Sequence, residues 1–397
     1  MTDPLLRFRD EFPILGTTTY LVSNSLGAMP RTVPARLAEY AEQWATRGVR
    51  AWADGWWGMP VSVGDEIAPL IGARAGEVAM VPNVSIAQAQ VLSSLSYADG
   101  RDTIVMTELD FPSVRYVYDG LAKRLGARIV VVPSDDGGMS IDEERLMAAI
   151  DERTCLVAIS HVLFRSAYVM DAARICAHAH RMGALVSLDA YHSVGVVPVD
   201  VRALDADFLT GGVLKWLCGG PGGCFLWVKP ETGAQLAPAL TGWQAHRHPF
   251  AFEPEMDYAS DAWRWLGGTP VSPALFAAID GPRILRDAGM AAIREKSLRQ
   301  TGRLMELADA RGFPLSVPRD PARRGGTVAF DVPHAREVAQ ALLARDIIVD
   351  FRPGAGIRVA PHFYTSDDEL ESAVAAIDEI LSHGAWKRYT DETLVVT

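Results

Sequence analysis

The sequence predicts an α/β protein with a large, mainly parallel β-sheet and a smaller α+β unit toward its C-terminus. Three observations indicate this fold class: a length of 397 residues, short apolar runs that alternate with amphipathic stretches from about residue 77 to 228, and a different rhythm after about residue 290. A chain of this length exceeds one ordinary compact core, so we expect two or more substructures.

Short apolar runs in the first part of the chain predict the strands of the large sheet. They are rich in Val and Ile, which is typical of strands that are buried on both faces. The runs are residues 77–81, 103–106, 128–132, 155–160, 184–189, 207–210 and 224–228.

Stretches with helical periodicity separate these runs. Examples are residues 114–126 and residues 171–183, the latter beginning with a suitable N-cap residue and ending in glycine. Strands that alternate with helices indicate a mainly parallel sheet covered by helices. In such sheets ligands bind at the carboxyl ends of the strands, where the sequence has Ser160, Asp189 and Thr210.

The last hundred residues predict the smaller unit. Apolar runs at 327–331, 347–350 and 356–360 are interspersed with helical stretches near 334–345 and 366–383. We therefore expect three parts: an N-terminal arm (1–50) that contributes to the small domain, a large domain (51–290) and a small C-terminal domain (291–397).

Composition argues against several classes of protein. A net charge of -11 without a dense Lys/Arg cluster disfavours nucleic-acid binding. No segment reaches the roughly 18 consecutive apolar residues of a membrane span. The first residues, MTDPLLRFRDEFPIL, lack the basic start and apolar run of a signal peptide. We expect a cytoplasmic protein that binds neither nucleic acid nor membrane.

Metal and nucleotide motifs are also missing. Four cysteines are too few for a disulfide framework in this length, and the spacing of Cys218 and Cys224 does not match a zinc site. There is no G-x-x-x-x-G-K-S/T motif and no G-x-S-x-G motif, and the glycines at 219–223 do not follow a first strand. We expect no bound metal.

Two loops carry the candidate chemistry. Residues 187–195 place Asp189 at a strand end with His192 three residues later, and residues 205–223 place Lys215 among apolar residues and glycines. Spacing alone favours a surface lysine and a helix-capping aspartate. In a pyridoxal-phosphate (PLP) enzyme, however, a desolvated lysine forms a Schiff base, and a carboxylate keeps the pyridine nitrogen protonated.

A series of motifs in order resembles class V aminotransferase-type PLP proteins, and within that group the kynureninases. The motifs are YLVSNSLGAMP (20–30), GWWGMPVSVGDEIAPLIGA (55–73), ELDFPSVRYV (108–117), SHVLFRS (160–166), LDAYHSVGVVPVD (188–200), ADFLTGGVLKWLCGGPGG (206–223), LTGWQAH (240–246) and GIRVAPHFYTS (356–366). The resemblance covers nearly the whole chain. It implies the PLP-dependent transferase fold type I, also called aspartate-aminotransferase-like, and a homodimer with its site at the interface.

The resemblance also implies the residues around the cofactor ring. Lys215 matches the Schiff-base lysine, and Asp189 matches the partner of the pyridine nitrogen. His192 falls near the 3-oxygen, Phe111 stacks on the pyridine face, and Ser160 lies beside the ring.

Further matching positions concern the phosphate and the substrate. Val84 and Ser85 open a helix that presents amides and a hydroxyl to the phosphate, as suits a helix N-terminus. Trp243 and Thr269 match positions that reach the phosphate, the latter often from the neighbouring subunit. Arg358 matches the arginine that binds the substrate α-carboxylate through two parallel hydrogen bonds.

Several positions depart from the kynureninase pattern. Leu214 replaces a tyrosine whose phenol reaches the phosphate, Cys218 replaces an asparagine, and Ala167 replaces the glycine of an R-T-G triplet. The YLVSNSLG segment also lacks the aspartate of Y-L-D-G-N-S-L-G.

The resemblance implies an enzyme that acts on an amino acid. The first hypothesis is hydrolytic Cβ–Cγ cleavage, which converts kynurenine to anthranilate and alanine, or the reaction of a close lyase relative. A second is transamination, β-elimination or epimerisation of another amino acid, which the altered positions favour. A third is a non-catalytic ligand-binding protein, against which the joint presence of Lys215, Asp189 and Arg358 argues.

Overall fold

The computed structural model describes residues 3–98 and 100–390, so the outermost residues of the predicted arm and small domain lie outside the described part. Its strands are β1 (Thr19–Tyr20), β2 (Val78–Val81), β3 (Thr103–Thr107), β4 (Arg128–Val132), β5 (Thr154–Ser160), β6 (Leu185–Asp189), β7 (Phe208–Gly212), β8 (Cys224–Val228), β9 (Val328–Phe330), β10 (Ile347–Ile348), β11 (Asp350–Arg352) and β12 (Gly356–Val359).

The α-helices surround the strands, and short 3-10 segments join several of them. In chain order they are α1 (Val33–Arg47), α2 (Met59–Ile67), α3 (Val84–Ser94), α4 (Pro112–Leu125), α5 (Glu143–Ala148), α6 (Ala172–Arg181), α7 (Val201–Leu204), α8 (Pro230–Gly233), α9 (Ser272–Ala278), α10 (Asp280–Ala288), α11 (Met290–Asp309), α12 (Ala335–Leu343) and α13 (Asp367–Ser382).

All seven apolar runs of the first part form one sheet, with the strand order β2-β8-β7-β6-β5-β3-β4. Strand β8 is antiparallel to both of its neighbours, and the other pairs are parallel. Strands β2, β3, β5, β7 and β8 are buried along their whole length, as expected for strands of a sheet that helices cover on both faces. The prediction of a mainly parallel sheet is confirmed.

The carboxyl ends of the central strands meet in register. Ser160 at the end of β5 pairs with Asp189 at the end of β6, and Asp189 pairs with Thr210 in β7. The Thr210 hydroxyl accepts a hydrogen bond from Gln88 Nε2 of α3 at 2.9 Å, and Gln88 Oε1 accepts one from the Tyr118 hydroxyl of α4 at 2.8 Å. This buried network fixes two helices against the edge of the sheet where the site lies.

The C-terminal strands form a separate small sheet with the order β11-β12-β9, while β10 pairs in parallel with β1 of the N-terminal segment. The predicted run 347–350 is therefore divided between two strands. Leu21 packs with the C-terminal strands, whereas Leu5 and Phe12 belong to the larger core. The domain boundaries at residues 50 and 290 stay a prediction.

Two negative observations concern the described residues alone. None of their helices is both long and apolar enough to span a bilayer. Within the same ranges, no group of three or more His, Cys, Asp or Glu side chains is arranged to hold a metal ion.

Candidate active site

A cavity of about 610 Å³ lies at the carboxyl ends of the central strands. Its volume is within the roughly 300–1,000 Å³ usual for small-molecule sites. Its wall includes most of the residues that the sequence singled out, namely Val84, Ser85, Phe111, Ser160, Asp189, His192, Lys215 and Arg358. The strand order thus brings together side chains that are far apart in the sequence.

Lys215 lies in the loop after β7, with its amine inside the cavity. The loop is held by the N-terminal segment, because Gly27 N donates to Leu214 O at 2.8 Å. A Cβ atom at Gly27 would lie 2.1 Å from the Lys215 carbonyl oxygen, so only glycine allows this approach. Removal from water lowers the pKa of Lys215, the Arg358 guanidinium adds to this effect, and Asp189 opposes it. A larger fraction of the amine is therefore neutral near neutral pH.

Asp189 and His192 flank this amine. Asp189 is buried, and its Oδ1 accepts a hydrogen bond from the Tyr191 backbone N–H at 2.9 Å. Burial raises the pKa of Asp189, while that hydrogen bond and the charge of Lys215 act in the opposite direction. His192 Nε2 lies 2.7 Å from Lys215 Nζ, and burial lowers the pKa of His192 well below its usual value. The imidazole is therefore neutral beside the amine.

Two aromatic rings stand close to the Lys215 amine. Nζ lies 5.3 Å from the ring centroid of Phe111 and 5.1 Å from that of Tyr191. The Phe111 ring is held edge-on against Phe164, with centroids 5.3 Å apart. Phe111 precedes Pro112, which occupies the first position of α4, so the ring is fixed at the start of a helix.

The N-terminus of α3 opens into the same cavity. The Asn83 side chain caps this helix by accepting a hydrogen bond from Ile86 N at 3.1 Å. The amides of the first turn, which include those of Val84 and Ser85, have no partner within the helix. Such an end favours anions, phosphate among them.

Arg358 is held by a buried carboxylate. Its Nε donates to Asp350 Oδ1 at 2.8 Å, its Nη2 donates to Asp350 Oδ2, and its Nη1 donates to the Phe164 carbonyl at 2.6 Å. Asp350 is fully buried and also lies 3.4 Å from Arg352 Nη2, another residue of the cavity wall. These contacts engage three of the five N–H donors of Arg358, which leaves two for a ligand.

Comparisons with known proteins identify the family of this chain. The aminotransferase class-V family profile matches residues 19–365. Kynureninase from Burkholderia pseudomallei is 34% identical over 402 aligned residues, which cover 97% of this chain and 94% of that protein. Kynureninase from Pseudomonas fluorescens is 35% identical with the same coverage. The chain belongs to the aminotransferase class-V family.

Solved structures agree on the fold. A cysteine desulfurase from Thermococcus onnurineus superimposes with a TM-score of 0.84 at 24% identity, covering 96% of this chain and 99% of that one. The cystine C–S lyase C-DES gives 0.84 at 20% identity, covering 92% and 98%. The class-V chain has the PLP-dependent fold type I, as the sequence predicted, and it is a kynureninase-like PLP enzyme of the hydrolase/lyase type.

The residues present fit PLP, the cofactor of this class-V enzyme. The cavity wall offers an amine with a lowered pKa, a buried carboxylate, two aromatic rings and a helix N-terminus. These are the groups required to hold an aldehyde, a pyridine nitrogen, a flat ring and a phosphate, respectively. Lys215, Asp189, Phe111 and the amides of α3 would hold them in that order.

Two predicted residues do not line this cavity. Thr269 lines a separate pocket of about 280 Å³. The Trp243 side chain is 39% exposed and packs edge-on against Trp57, with ring centroids 4.6 Å apart. Their contact with phosphate, whether within one subunit or across a dimer, stays a prediction.

Asn24 is a site residue that the sequence analysis missed. It lines the cavity and is only 1% exposed, yet neither atom of its amide has a hydrogen-bond partner among the described residues. Leaving a buried amide unpartnered costs about 1–3 kcal/mol, so the arrangement indicates a contact with a ligand. The N-S-L-G segment within residues 20–30 contained this residue, but its burial could not be read from the sequence.

Asp110 is a second missed residue. Its Oδ1 accepts from Ser160 N at 2.7 Å and its Oδ2 accepts from Thr107 N at 2.8 Å. The buried carboxylate thereby joins the ends of β3 and β5 and fixes Ser160 at the cavity wall. Its position directly before the F-P-S stretch was the available signal.

Proposed function

We propose that the protein hydrolyses the Cβ–Cγ bond of kynurenine and releases anthranilate and alanine. The observation that carries this proposal is that Lys215, Asp189 and Arg358 line the same cavity. Two kynureninases that match 97% of the chain support the choice of substrate.

Two sides of the cavity bind the substrate, one through polar groups and the other through apolar side chains. The two remaining donors of Arg358 suit an α-carboxylate, and Asp350 keeps the guanidinium plane in place. The Asn24 amide offers a further donor and acceptor to the same small ligand. The apolar side chains of Val162 and Phe164 supply wall area for an aryl group.

Residues of the cavity wall accept, hold and orient the groups that exchange protons. Bound PLP supplies an electron sink for negative charge at the substrate Cα. Lys215 Nζ, whose lowered pKa increases its neutral fraction, accepts the α-proton. Asp189 keeps the pyridine nitrogen protonated, and its backbone contact with Tyr191 fixes the carboxylate for that role. His192 orients the lysine amine through their 2.7 Å contact.

A second reaction is favoured by one observation. Leu214 lines the cavity where kynureninases have a tyrosine, and leucine cannot donate a hydrogen bond or relay a proton. Loss of one acid–base group typically slows a reaction about 10²-fold or more. Transamination, β-elimination or epimerisation of another amino acid would not depend on that phenol.

The test is a product assay with purified holoenzyme. Incubation with kynurenine should release anthranilate and alanine in equal amounts by mass spectrometry, about 10²-fold more slowly than a typical kynureninase. The Lys215→Ala variant is the inactive control. Absence of both products, together with turnover of another amino acid in a parallel screen, would replace this proposal with the second reaction.

We also propose a homodimer in the cytoplasm. Trp243, Phe250 and Phe252 are 39%, 62% and 76% exposed, and clustered exposed aromatic side chains are typical of association surfaces. The four cysteines are unpaired and buried, in keeping with a reducing compartment. Light scattering coupled to gel filtration tests the dimer, and a mass of one chain would contradict it.

A further inference from the structure

Tyr191 contributes a phenol to the cavity at a position that the sequence analysis left without a role. It stands two residues after Asp189, lines the cavity, and its ring centroid lies 5.1 Å from Lys215 Nζ. Its hydroxyl neighbours the Cys224 thiol. The side chain therefore extends from the end of β6 across β7 toward β8.

This direction depends on Gly212. A Cβ atom there would lie 2.0, 2.2 and 2.4 Å from Cε1, Cζ and the hydroxyl oxygen of Tyr191, so any larger residue would displace the ring. The φ angle of Gly212 is not positive, and the glycine is therefore required by the space that Tyr191 occupies rather than by the backbone. Tyr191 and Gly212 are thus one structural unit.

The Tyr191 side chain extends toward the strands that lead to the N-terminus of α3, the helix end that suits a phosphate. Gly212 pairs with Cys224 in β8, and Cys224 pairs with Val81 in β2. Strand β2 leads directly through Asn83 into the N-terminus of α3. The path of the Tyr191 side chain, from Asp189 to Cys224, therefore runs from the carboxylate side of the cavity to its helix side.

The chemistry of the phenol suits a donor role. Burial raises the pKa of Tyr191, and the neighbouring Cys224 and Asp189 raise it further, so the hydroxyl stays protonated. A thiol is a weak hydrogen-bond acceptor, whereas a phosphate oxygen is a strong, charged one. A phenol beside Cys224 can therefore exchange a weak partner for a stronger one.

We propose that Tyr191 donates a hydrogen bond to the PLP phosphate and so supplies the phenol that Leu214 cannot provide. The inference depends on PLP binding and not on which amino acid is turned over. It assigns the Tyr191–Gly212 pair to the cofactor site.

The test compares the affinity of apoenzyme for PLP, measured by titration of the bound-cofactor absorbance. Tyr191→Phe keeps the ring and removes only the hydroxyl, and it should weaken PLP binding about tenfold or more, as expected for one hydrogen bond to a charged group. The phosphorus NMR signal of bound PLP should shift as well. Tyr168→Phe, which removes a half-buried phenol bonded to Glu143 outside the cavity wall, is the matched control with unchanged affinity.

A rescue experiment separates the phenol from the packing of the ring. Adding Leu214→Tyr to the Tyr191→Phe variant should restore most of the lost affinity, whereas the same change in the wild type should add little. Gly212→Ala, which displaces the ring, should weaken PLP binding while circular dichroism stays native. Wild-type affinity and an unchanged phosphorus signal in Tyr191→Phe would overturn the inference.

These outcomes are independent of the proposed reaction. If the wild type binds PLP but does not cleave kynurenine, the proposed function fails and the role of Tyr191 can still be measured. If kynurenine is cleaved and Tyr191→Phe binds PLP normally, only the role of Tyr191 fails.

Discussion

The amine of Lys215 lies 2.7 Å from Nε2 of His192 at the carboxyl edge of the main sheet. Burial lowers the pKa of both groups, and the positive charge of the Arg358 guanidinium lowers each pKa further. The pair therefore holds in a fixed place an amine whose neutral fraction is raised, and the neutral amine is the form that attacks an aldehyde.

The first prediction concerns the pH dependence of PLP uptake. The pKa of Lys215 is lowered from the usual 10.5, so the neutral amine predominates from a lower pH upward. The rate of PLP uptake by apoenzyme should rise with pH and level off well below pH 10.5. Stopped-flow absorbance measures this rate. A rate that keeps rising through pH 10.5 would show that the amine is not perturbed.

The second prediction concerns Asp189. Asp189→Asn preserves shape but removes the charge that keeps the pyridine nitrogen protonated, so exchange of the substrate α-proton for deuterium should slow about 10³-fold, or about 4 kcal/mol. Asp207→Asn is the control, because Asp207 is a buried carboxylate near the start of β7, where it accepts a hydrogen bond from Val186 N. Near-normal exchange in Asp189→Asn would make this residue a structural cap.

The third prediction concerns the Arg358 guanidinium. Arg358→Lys cannot reproduce either the two bonds to Asp350 or a bidentate grip on a carboxylate, so kcat/KM should fall roughly 10²-fold while the absorbance of bound PLP stays normal. Arg345→Lys, which alters an exposed pair with Glu379, is the control. Equal kcat/KM in Arg358→Lys and the wild type would exclude a carboxylate clamp.

The fourth prediction concerns Asn24. Because its buried amide has no partner among the described residues, Asn24→Ala should leave the free energy of unfolding within about 1 kcal/mol of wild type. The same change should raise KM about tenfold, since the ligand loses a hydrogen bond. Thermal unfolding and steady-state kinetics separate the two effects. A clear loss of stability with an unchanged KM would give Asn24 a structural role.

Much of this site follows from sequence periodicity. The apolar runs predicted all seven strands of the main sheet, and the rule for parallel sheets placed Ser160 and Asp189 at its functional edge. The Asp350–Arg358 pair could not be predicted in this way. Asp350 lay in a run with Ile347, and only the antiparallel register of β11 with β12 places it opposite Arg358.

Backbone conformation distinguishes two of the positions that depart from the kynureninase pattern. Ala167 and Cys218, two departures from the kynureninase pattern, have φ angles of 58° and 53°. Glycine and asparagine, the residues they replace, are the ones that adopt this left-handed conformation most readily. The sequence shows that these two residues differ from the pattern. Only the structure shows, through the positive φ angles, that the two positions favour glycine or asparagine.

The most direct test of the account is to locate the lysine that holds PLP. The sequence contains five lysines, Lys123, Lys215, Lys229, Lys296 and Lys387. Among the described residues only Lys215 lines the cavity, while Lys296 is buried elsewhere against Asp3. Borohydride reduction of the holoenzyme followed by peptide mapping should place the pyridoxyl label on Lys215. A label on any other lysine would contradict the assignment of this cavity as the active site.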